Sequence, residues 1–299
     1  MAGKKHPILI VLGILAGVGL VLGIAMIIVL KVFTPSSSLS FSTKIGVIPI
    51  EGAITDSQAI TEQLRRFKKD KGIKAIILRI NSPGGAVGPT QEIYREVQRT
   101  AETKKVVASL GGVAASGGYY IAVATKKIVA NPGTITGSIG VIMEFIRFED
   151  LLNKIGIKFE VLKSGEFKDI GSPHRELTAR DKELISALIA DIQKQFVEAV
   201  ASGRNLSIEK TREIADGRIF SGAQAKELGL VDVLGNFQDA VELAKNMATI
   251  KGDVTLVYPK KSKLDLWDLF LGSAADSIVR RIQGMKSRIE YRWTGLVEG

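Results

Sequence analysis

Residues 75–85 read AIILRINSPGG, and residues 106–120 read VVASLGGVAASGGYY. In each stretch an apolar run of strand length ends at a pair of glycines, and a helical pattern follows. Strands that alternate with helices in this way indicate βαβ units, which build a parallel sheet covered on both faces. The two stretches therefore predict an α/β fold in which these strands end in glycine turns.

The same alternation continues on both sides of these stretches. The pattern predicts strands at 45–50, 75–80, 106–110, 127–130, 138–143 and 157–162, and helices at 56–70, 88–103 and 115–125. Further helices are predicted at 179–202, 207–215, 221–228 and 236–248, before a strand at 254–258. We expect one α/β domain over 44–250 and a C-terminal extension over 251–299. The extension ends in a charged tract, 262–299, that is either one amphipathic helix or a flexible tail.

The N-terminal segment predicts a membrane anchor. Residues 8–30 contain no charged side chain. As a helix this run measures about 35 Å, which is enough to cross a hydrocarbon core of about 30 Å. It is longer than the apolar region of a cleaved signal peptide, which has about 7–15 residues. We therefore expect residues 1–31 to be a cytoplasmic tip and an uncleaved transmembrane signal anchor, with residues 8–30 in contact with lipid.

The charges that flank the anchor predict its orientation. Lys4 and Lys5 precede the apolar run and Lys31 follows it. Because positive charge is retained on the cytoplasmic side, the N-terminus should be cytoplasmic. Residues 32–43, rich in Ser and Thr, are expected to be a linker. The prediction is a single-pass protein of the cell membrane whose main domain is extracytoplasmic.

Composition excludes several kinds of site. The chain has no cysteine, which rules out disulfides, a Cys nucleophile and thiolate metal sites. Its two histidines are His6 and His174, too few in the main domain for a multi-histidine zinc site. The formal net charge is +10, but the basic pairs are scattered and lack interleaved aromatic residues. We expect no metal, no cofactor and no nucleic-acid partner.

The first glycine turn follows the predicted strand 75–80. Pro83 and Gly84 form a type II turn signature, because Pro presets φ and Gly tolerates a positive φ. Such a turn at a helix N-terminus directs backbone N–H groups outward, where they suit a phosphate or a developing oxyanion. The Lys-Ser/Thr pair of a phosphate-binding P-loop does not follow. The alternative is a tight turn without a ligand.

The second glycine turn contains a candidate nucleophile. Ser116 lies among Ala and Gly residues at the start of a predicted helix, next to the N–H of Gly117. Its alternative role is a plain N-cap. A Ser-His-Asp triad would have to use His174, which fits the chain order of hydrolases poorly. A lysine is the more natural base if burial lowers its pKa from about 10.4 toward about 7–8. Spacing does not select which lysine.

Four motifs together resemble one known family. They are NSPGG at 81–85, ASGGYY at 115–120, NPGTITGSIG at 131–140 and KSGEFKDIGSP at 163–173. In this order they resemble signal peptide peptidase A, a family of bacterial membrane-anchored serine proteases related in fold to the Clp protease proteolytic subunit and to crotonases. The resemblance covers about residues 44–250, and the chain length is similar to the short, single-copy form.

The resemblance implies a role for each matching residue. Ser116 matches the nucleophile, Lys168 matches the general base, and Ser138 matches the serine that orients the base. The backbone N–H groups of Gly85 and Gly117 match the oxyanion hole. The implied reaction is hydrolysis of peptides by a Ser-Lys dyad without a cofactor.

The resemblance also implies partners. Its substrates would be remnant signal peptides, cut after their release from preproteins, and other extended peptides. The short form would be a homo-oligomeric ring in which the dyad joins neighbouring protomers. Two alternatives remain on the same fold. One is a crotonase-like acyl-CoA enzyme, which would need acidic catalytic residues, and the other is a non-catalytic membrane scaffold.

Overall fold

The computed structural model describes residues 16–26, 43–259 and 289–292. Residues 16–26 form helix α1, whose side chains are exposed. Across these three ranges, no helix is both long enough and apolar enough to cross a membrane. The other parts of the predicted anchor, 8–15 and 27–30, lie outside the described residues. Residues from Thr43 onward belong to a second compact unit.

The second unit contains eleven described strands and eight described α-helices. The strands are β1 (Thr43–Glu51), β2 (Ile73–Ser82), β3 (Gly84–Ala86), β4 (Lys105–Ala115), β5 (Lys127–Ala130), β6 (Ile135–Gly137), β7 (Ile142–Met143), β8 (Ile219–Ser221), β9 (Val233–Leu234), β10 (Val254–Val257) and β11 (Ile289–Arg292). The helices are α2 (Gln58–Lys69), α3 (Val87–Ala101), α4 (Gly117–Ala122), α5 (Glu149–Lys154), α6 (Ala179–Arg204), α7 (Ile208–Glu213), α8 (Gly222–Glu227) and α9 (Phe237–Met247).

The larger sheet is parallel along the strand order β10-β1-β2-β4-β5-β9. The carboxyl-terminal part of β4 pairs with β6, which in turn pairs antiparallel with β8. In β2, Ile76 and Leu78 face one buried cluster, and Ala75 and Ile77 face another that includes residues of α9. Burial on both faces explains the nearly continuous apolar run in this strand. The expected mixed α/β fold with a parallel sheet is confirmed.

A second, smaller sheet has three strands. It consists of β3, β11 and β7, with β11 antiparallel to both neighbours. Its central strand comes from the tract 262–299, for which the sequence predicts a helix or a flexible tail. Residues 289–292 read IEYR and alternate apolar with charged side chains, which is the period of a strand. The four described residues of this tract therefore differ from the helical expectation.

Two other predicted strands differ from the structure. Of the run 138–143, only Ile142 and Met143 form a strand, β7. Strand β6 ends at Gly137, because Ser138 has a φ of 47° and does not continue the extended backbone. The run 157–162 forms no strand and is exposed. Its apolar side chains have the composition of a strand, but no described strand pairs with it. The helices predicted between 56 and 125 and between 179 and 248 are confirmed with small shifts at their ends.

A buried threonine at the β4–β6 junction provides a test of the fold. The Thr136 hydroxyl donates to the Ala114 carbonyl oxygen over 2.7 Å, and both residues are buried. Thr136→Val preserves the side-chain shape but removes this donor, so we expect a loss of about 1 kcal/mol in the free energy of unfolding. The measurement is urea unfolding of the full chain in detergent. Thr55→Val, at an exposed residue, is the control, and equal midpoints for the two variants would contradict the prediction.

Candidate active site

Ser116 occupies a sharp turn between β4 and α4. Its φ of 52° and ψ of −118° are rare for a residue with a side chain. The Ser116 side chain makes no capping hydrogen bond to α4, so the alternative role as a plain N-cap is wrong. Its Oγ is buried and has no hydrogen-bond partner among the described residues. Leaving a buried hydroxyl without a partner costs about 1–3 kcal/mol, and this cost makes the atom a candidate for contact with a substrate.

The two glycine turns meet beside Ser116. A Cβ atom added to Gly117 would lie 3.2 Å from the Gly85 nitrogen, and one added to Gly84 would lie 2.6 Å from the Gly117 nitrogen. The Gly84 N–H donates to Ser82 Oγ over 3.1 Å, whereas Gly117 begins α4, where a helix leaves its N–H groups without intrahelical acceptors. The structure therefore brings the two predicted oxyanion residues, Gly85 and Gly117, together.

Ser138 is a neighbour of Ser116 through strand register. Ala115 of β4 pairs with Gly137 of β6, and the Ser116 N–H donates to the Gly137 carbonyl over 2.8 Å. The next residue on each strand is a serine, so Ser116 and Ser138 lie side by side at the carboxyl edge of the sheet. Ser138 is itself buried, and its N–H donates to the Arg218 carbonyl over 2.8 Å.

Lys168 lies in a different environment from the two serines. It belongs to a 3₁₀ turn, Glu166–Asp169, and its side chain is exposed. Within the described ranges, its ammonium group makes no hydrogen bond or ion pair, and so makes none with Ser116 or Ser138. The described chain alone therefore does not bury the predicted base.

The turn that carries Lys168 is held by a network of charged side chains. Asp169 accepts hydrogen bonds from Arg175 Nη2 and from Lys163 Nζ, each over 2.8 Å. Arg175 also donates to Asp181 of α6 over 2.6 Å. The bonds from Arg175 and Lys163 hold the pKa of Asp169 well below its usual range, and those from Arg175 and the Thr178 backbone lower the pKa of Asp181 to about 2. Both carboxylates therefore stay charged at any pH at which a lysine base is neutral.

Sequence analysis did not identify this network. The available signal was the helix start Thr178-x-x-Asp181, which forms a capping box in the structure. His174 lies in the same segment, where its ring stacks on Phe159 with centroids 4.7 Å apart and contacts the Ser172 hydroxyl. It makes no hydrogen bond with Ser116. Among the described residues there is no cluster of acidic and histidine side chains that could hold a metal ion.

Strand β11 lies against the glycine junction. Tyr291 pairs with Gly85, and its carbonyl oxygen would be 2.0 Å from a Cβ atom added to Gly84. That same added atom would be 2.6 Å from the Gly117 nitrogen. The main-chain carbonyl oxygen of Tyr291 therefore lies next to the junction of the two glycine turns. Sequence analysis missed this contact, for which the alternation of IEYR was the one local signal.

Comparison with known proteins identifies the family of this chain. The model of peptidase family S49 matches residues 98–251, and the Clp protease model matches residues 36–134. A protein of Synechocystis sp. that is named as a protease is 45% identical over 249 residues, which are 83% of this chain and 85% of the relative. A protein of Enterococcus faecium named as a signal peptide peptidase is 32% identical over 293 residues, 90% of this chain and 83% of the relative.

A third relative is the chloroplastic serine protease SPPA of Arabidopsis thaliana. It is 34% identical over 251 residues, which are 82% of this chain and 37% of the relative. The chain belongs to peptidase family S49. It is a serine protease of the signal peptide peptidase A family, with a parallel α/β fold consistent with that of Clp protease.

The charged network predicts the effect of one substitution. Arg175→Met removes the link between Asp169 and Asp181, and we expect kcat for peptide hydrolysis to fall by about 10–100-fold because the turn carrying Lys168 is no longer held in place. The measurement is steady-state hydrolysis of a peptide at saturating substrate.

Arg147→Met is the matched control, because Arg147 lies in the same segment and, among the described residues, its one ion pair is with Glu176 at the surface. Thermal unfolding of both variants excludes a loss of fold. If Arg175→Met keeps wild-type kcat, the network does not position the base.

Proposed function

We propose that this serine protease cuts remnant signal peptides with a Ser116–Lys168 dyad, after these peptides have been released from preproteins. The observation that carries the proposal is the buried Ser116 Oγ, which has no partner among the described residues and belongs to the turn that meets the backbone of Gly84 and Gly85. A serine on a strained strand-to-helix turn next to backbone donors suits nucleophilic attack on a carbonyl.

In the proposed reaction, Ser116 Oγ attacks the scissile carbonyl while neutral Lys168 takes its proton and later delivers it to the leaving amine. The N–H groups of Gly85 and Gly117 donate to the oxyanion, a contribution of about 3–4 kcal/mol for each donor in acyl transfer. Ser138, which follows the end of the neighbouring strand, orients the lysine. Water then hydrolyses the acyl-enzyme ester and regenerates the Ser116 hydroxyl.

A lysine base must be neutral, which requires removal from water, yet Lys168 is exposed in the single chain. We propose that a neighbouring protomer of a homo-oligomeric ring covers it, so that the dyad is completed across the interface. The segment around Lys168 and the start of α6 expose a set of large apolar side chains that supports this interface. They are Ile146, Phe148, Leu151, Ile155, Ile157, Phe159, Val161, Leu162, Leu184 and Leu188.

Membrane attachment is part of the same proposal. The uncharged run 8–30 would anchor the chain, with its N-terminus in the cytoplasm and the protease unit on the other side. Spent signal peptides are apolar and stay in the membrane, so an anchored protease meets them at the surface where they are released. The relative from Enterococcus faecium that is named as a signal peptide peptidase supports this substrate class.

The dyad is tested with a synthetic signal peptide in detergent micelles and the full chain. Ser116→Ala and Lys168→Ala should each reduce turnover by at least about 1,000-fold, because each removes a group that takes part in the bond-breaking step. Lys158→Ala is the control, since Lys158 is an exposed lysine of the same segment. Mass spectrometry of the products measures cleavage, and wild-type turnover in either dyad variant would contradict the mechanism.

Mixing the two inactive variants tests the interface. If neighbouring protomers share each dyad, an equal mixture reassembled into rings should regain about a quarter of the wild-type activity, because each intact partner occurs with a probability of one half. A dyad within one protomer regains none. Native mass spectrometry shows whether the mixed rings have formed.

A further inference from the structure

We infer that Thr90 is a positioning residue of the oxyanion site. Its buried hydroxyl oxygen sets the place of the Gly117 backbone, and with it the direction of the N–H group that receives the oxyanion. The inference rests on the proposed function, and it adds to that function a residue that none of the four sequence motifs contains.

The first step is the place of Thr90 in the chain. Helix α3 begins at Val87, directly after β3, which contains Gly84 and Gly85. Thr90 lies in the first turn of this helix and is fully buried. The helix that follows one glycine turn therefore carries a buried polar side chain close to the other turn.

The second step is the contact with Gly117. A Cβ atom added to Gly117 would lie 2.9 Å from Thr90 Oγ1 and 3.2 Å from the Gly85 nitrogen. One hydrogen of the Gly117 Cα therefore points toward the Thr90 oxygen, on the face of Gly117 that also meets Gly85. An oxygen can lie closer to a Cα–H group than a methyl carbon can. The Thr90 hydroxyl thus fixes how closely Gly117 approaches α3.

The third step is the state of the hydroxyl. Among the described residues, Thr90 Oγ1 has no hydrogen-bond partner. A threonine within a helix can bond to a backbone carbonyl one turn earlier, at residue 86 or 87, but Thr90 does not. Burial of an unpaired hydroxyl lowers stability, whereas valine has nearly the same shape and no hydroxyl. Packing alone therefore favours valine here, and the oxygen indicates a role in the adjoining site.

The contact affects the transition state more than the bound substrate. In the proposed reaction the Gly117 N–H donates to an oxygen whose negative charge develops as the tetrahedral intermediate forms. A valine methyl in place of the Thr90 oxygen would push Gly117 aside and misalign this donor. Loss of an interaction that is made only in the transition state lowers kcat and leaves KM unchanged. The inference therefore predicts a loss in kcat alone.

The role of Thr90 is tested with the full chain in detergent and the synthetic signal peptide. We expect Thr90→Val to lower kcat by about 10–100-fold, with KM within about twofold of wild type. Thr90→Ser keeps the oxygen, so its kcat should stay within about threefold of wild type. Thr100→Val is the matched control and should keep wild-type kcat. Thr100 is also a fully buried residue of α3 whose hydroxyl has no partner among the described residues.

Three results would overturn the inference. They are equal kcat for Thr90→Val and Thr100→Val, an equal loss of kcat in Thr90→Val and Thr90→Ser, and a higher KM without a change in kcat. Thermal unfolding shows whether each variant is folded. If Thr90→Val does not fold, Thr90→Ala takes its place with Thr100→Ala as its control, because alanine removes the oxygen without adding bulk. Its kcat should then be at least about tenfold below that of Thr90→Ser.

Ser116→Ala separates this inference from the proposed function. Hydrolysis of the same peptide that survives Ser116→Ala refutes the proposed function. Hydrolysis that depends on Ser116 but keeps wild-type kcat in Thr90→Val refutes only the role of Thr90.

Discussion

The structure depends on the close approach of two glycine turns, one at Gly84 and Gly85 and the other at Gly117. A Cβ atom at Gly85 would lie 2.2 Å from the Ile54 carbonyl oxygen, and one at Gly84 would lie 2.0 Å from the Tyr291 carbonyl oxygen. These distances are shorter than any ordinary contact, so only glycine fits at residues 84 and 85. Because β2 and β4 are adjacent parallel strands, the turns that follow them meet at one edge of the sheet. That edge is where Ser116 is presented.

The two residues of the proposed dyad differ in their burial and in the elements that hold them. Ser116 is buried between a central strand and a short helix. Lys168 belongs to an exposed segment that the charged pairs of Asp169, Arg175 and Asp181 hold to α6. In the proposed ring, reactivity of the serine would therefore depend on how assembly covers this segment and brings it to the site.

The sequence alone predicted the elements that form from patterns of neighbouring residues. The apolar runs predicted the central strands, and the glycine pairs predicted the turns around Ser116. Lys168 was named only through the family resemblance, because many exposed lysines share its surroundings in sequence. Strand β11 could not be predicted, since four residues such as IEYR become a strand only beside partners that are distant in the chain. Residues 157–162 show the converse, because their apolar pattern is present but no described strand pairs with them.

In the proposed mechanism, a neutral lysine activates Ser116. The most direct measurement is the rate at which a fluorophosphonate labels Ser116 in the full chain, followed from pH 6 to pH 10 by mass spectrometry of the labelled peptide. We expect the labelling rate to rise with pH as the lysine loses its proton. This rise should be lost in Lys168→Ala but not in Lys158→Ala. A labelling rate that falls between pH 6 and pH 10, or that is unchanged in Lys168→Ala, would contradict this mechanism.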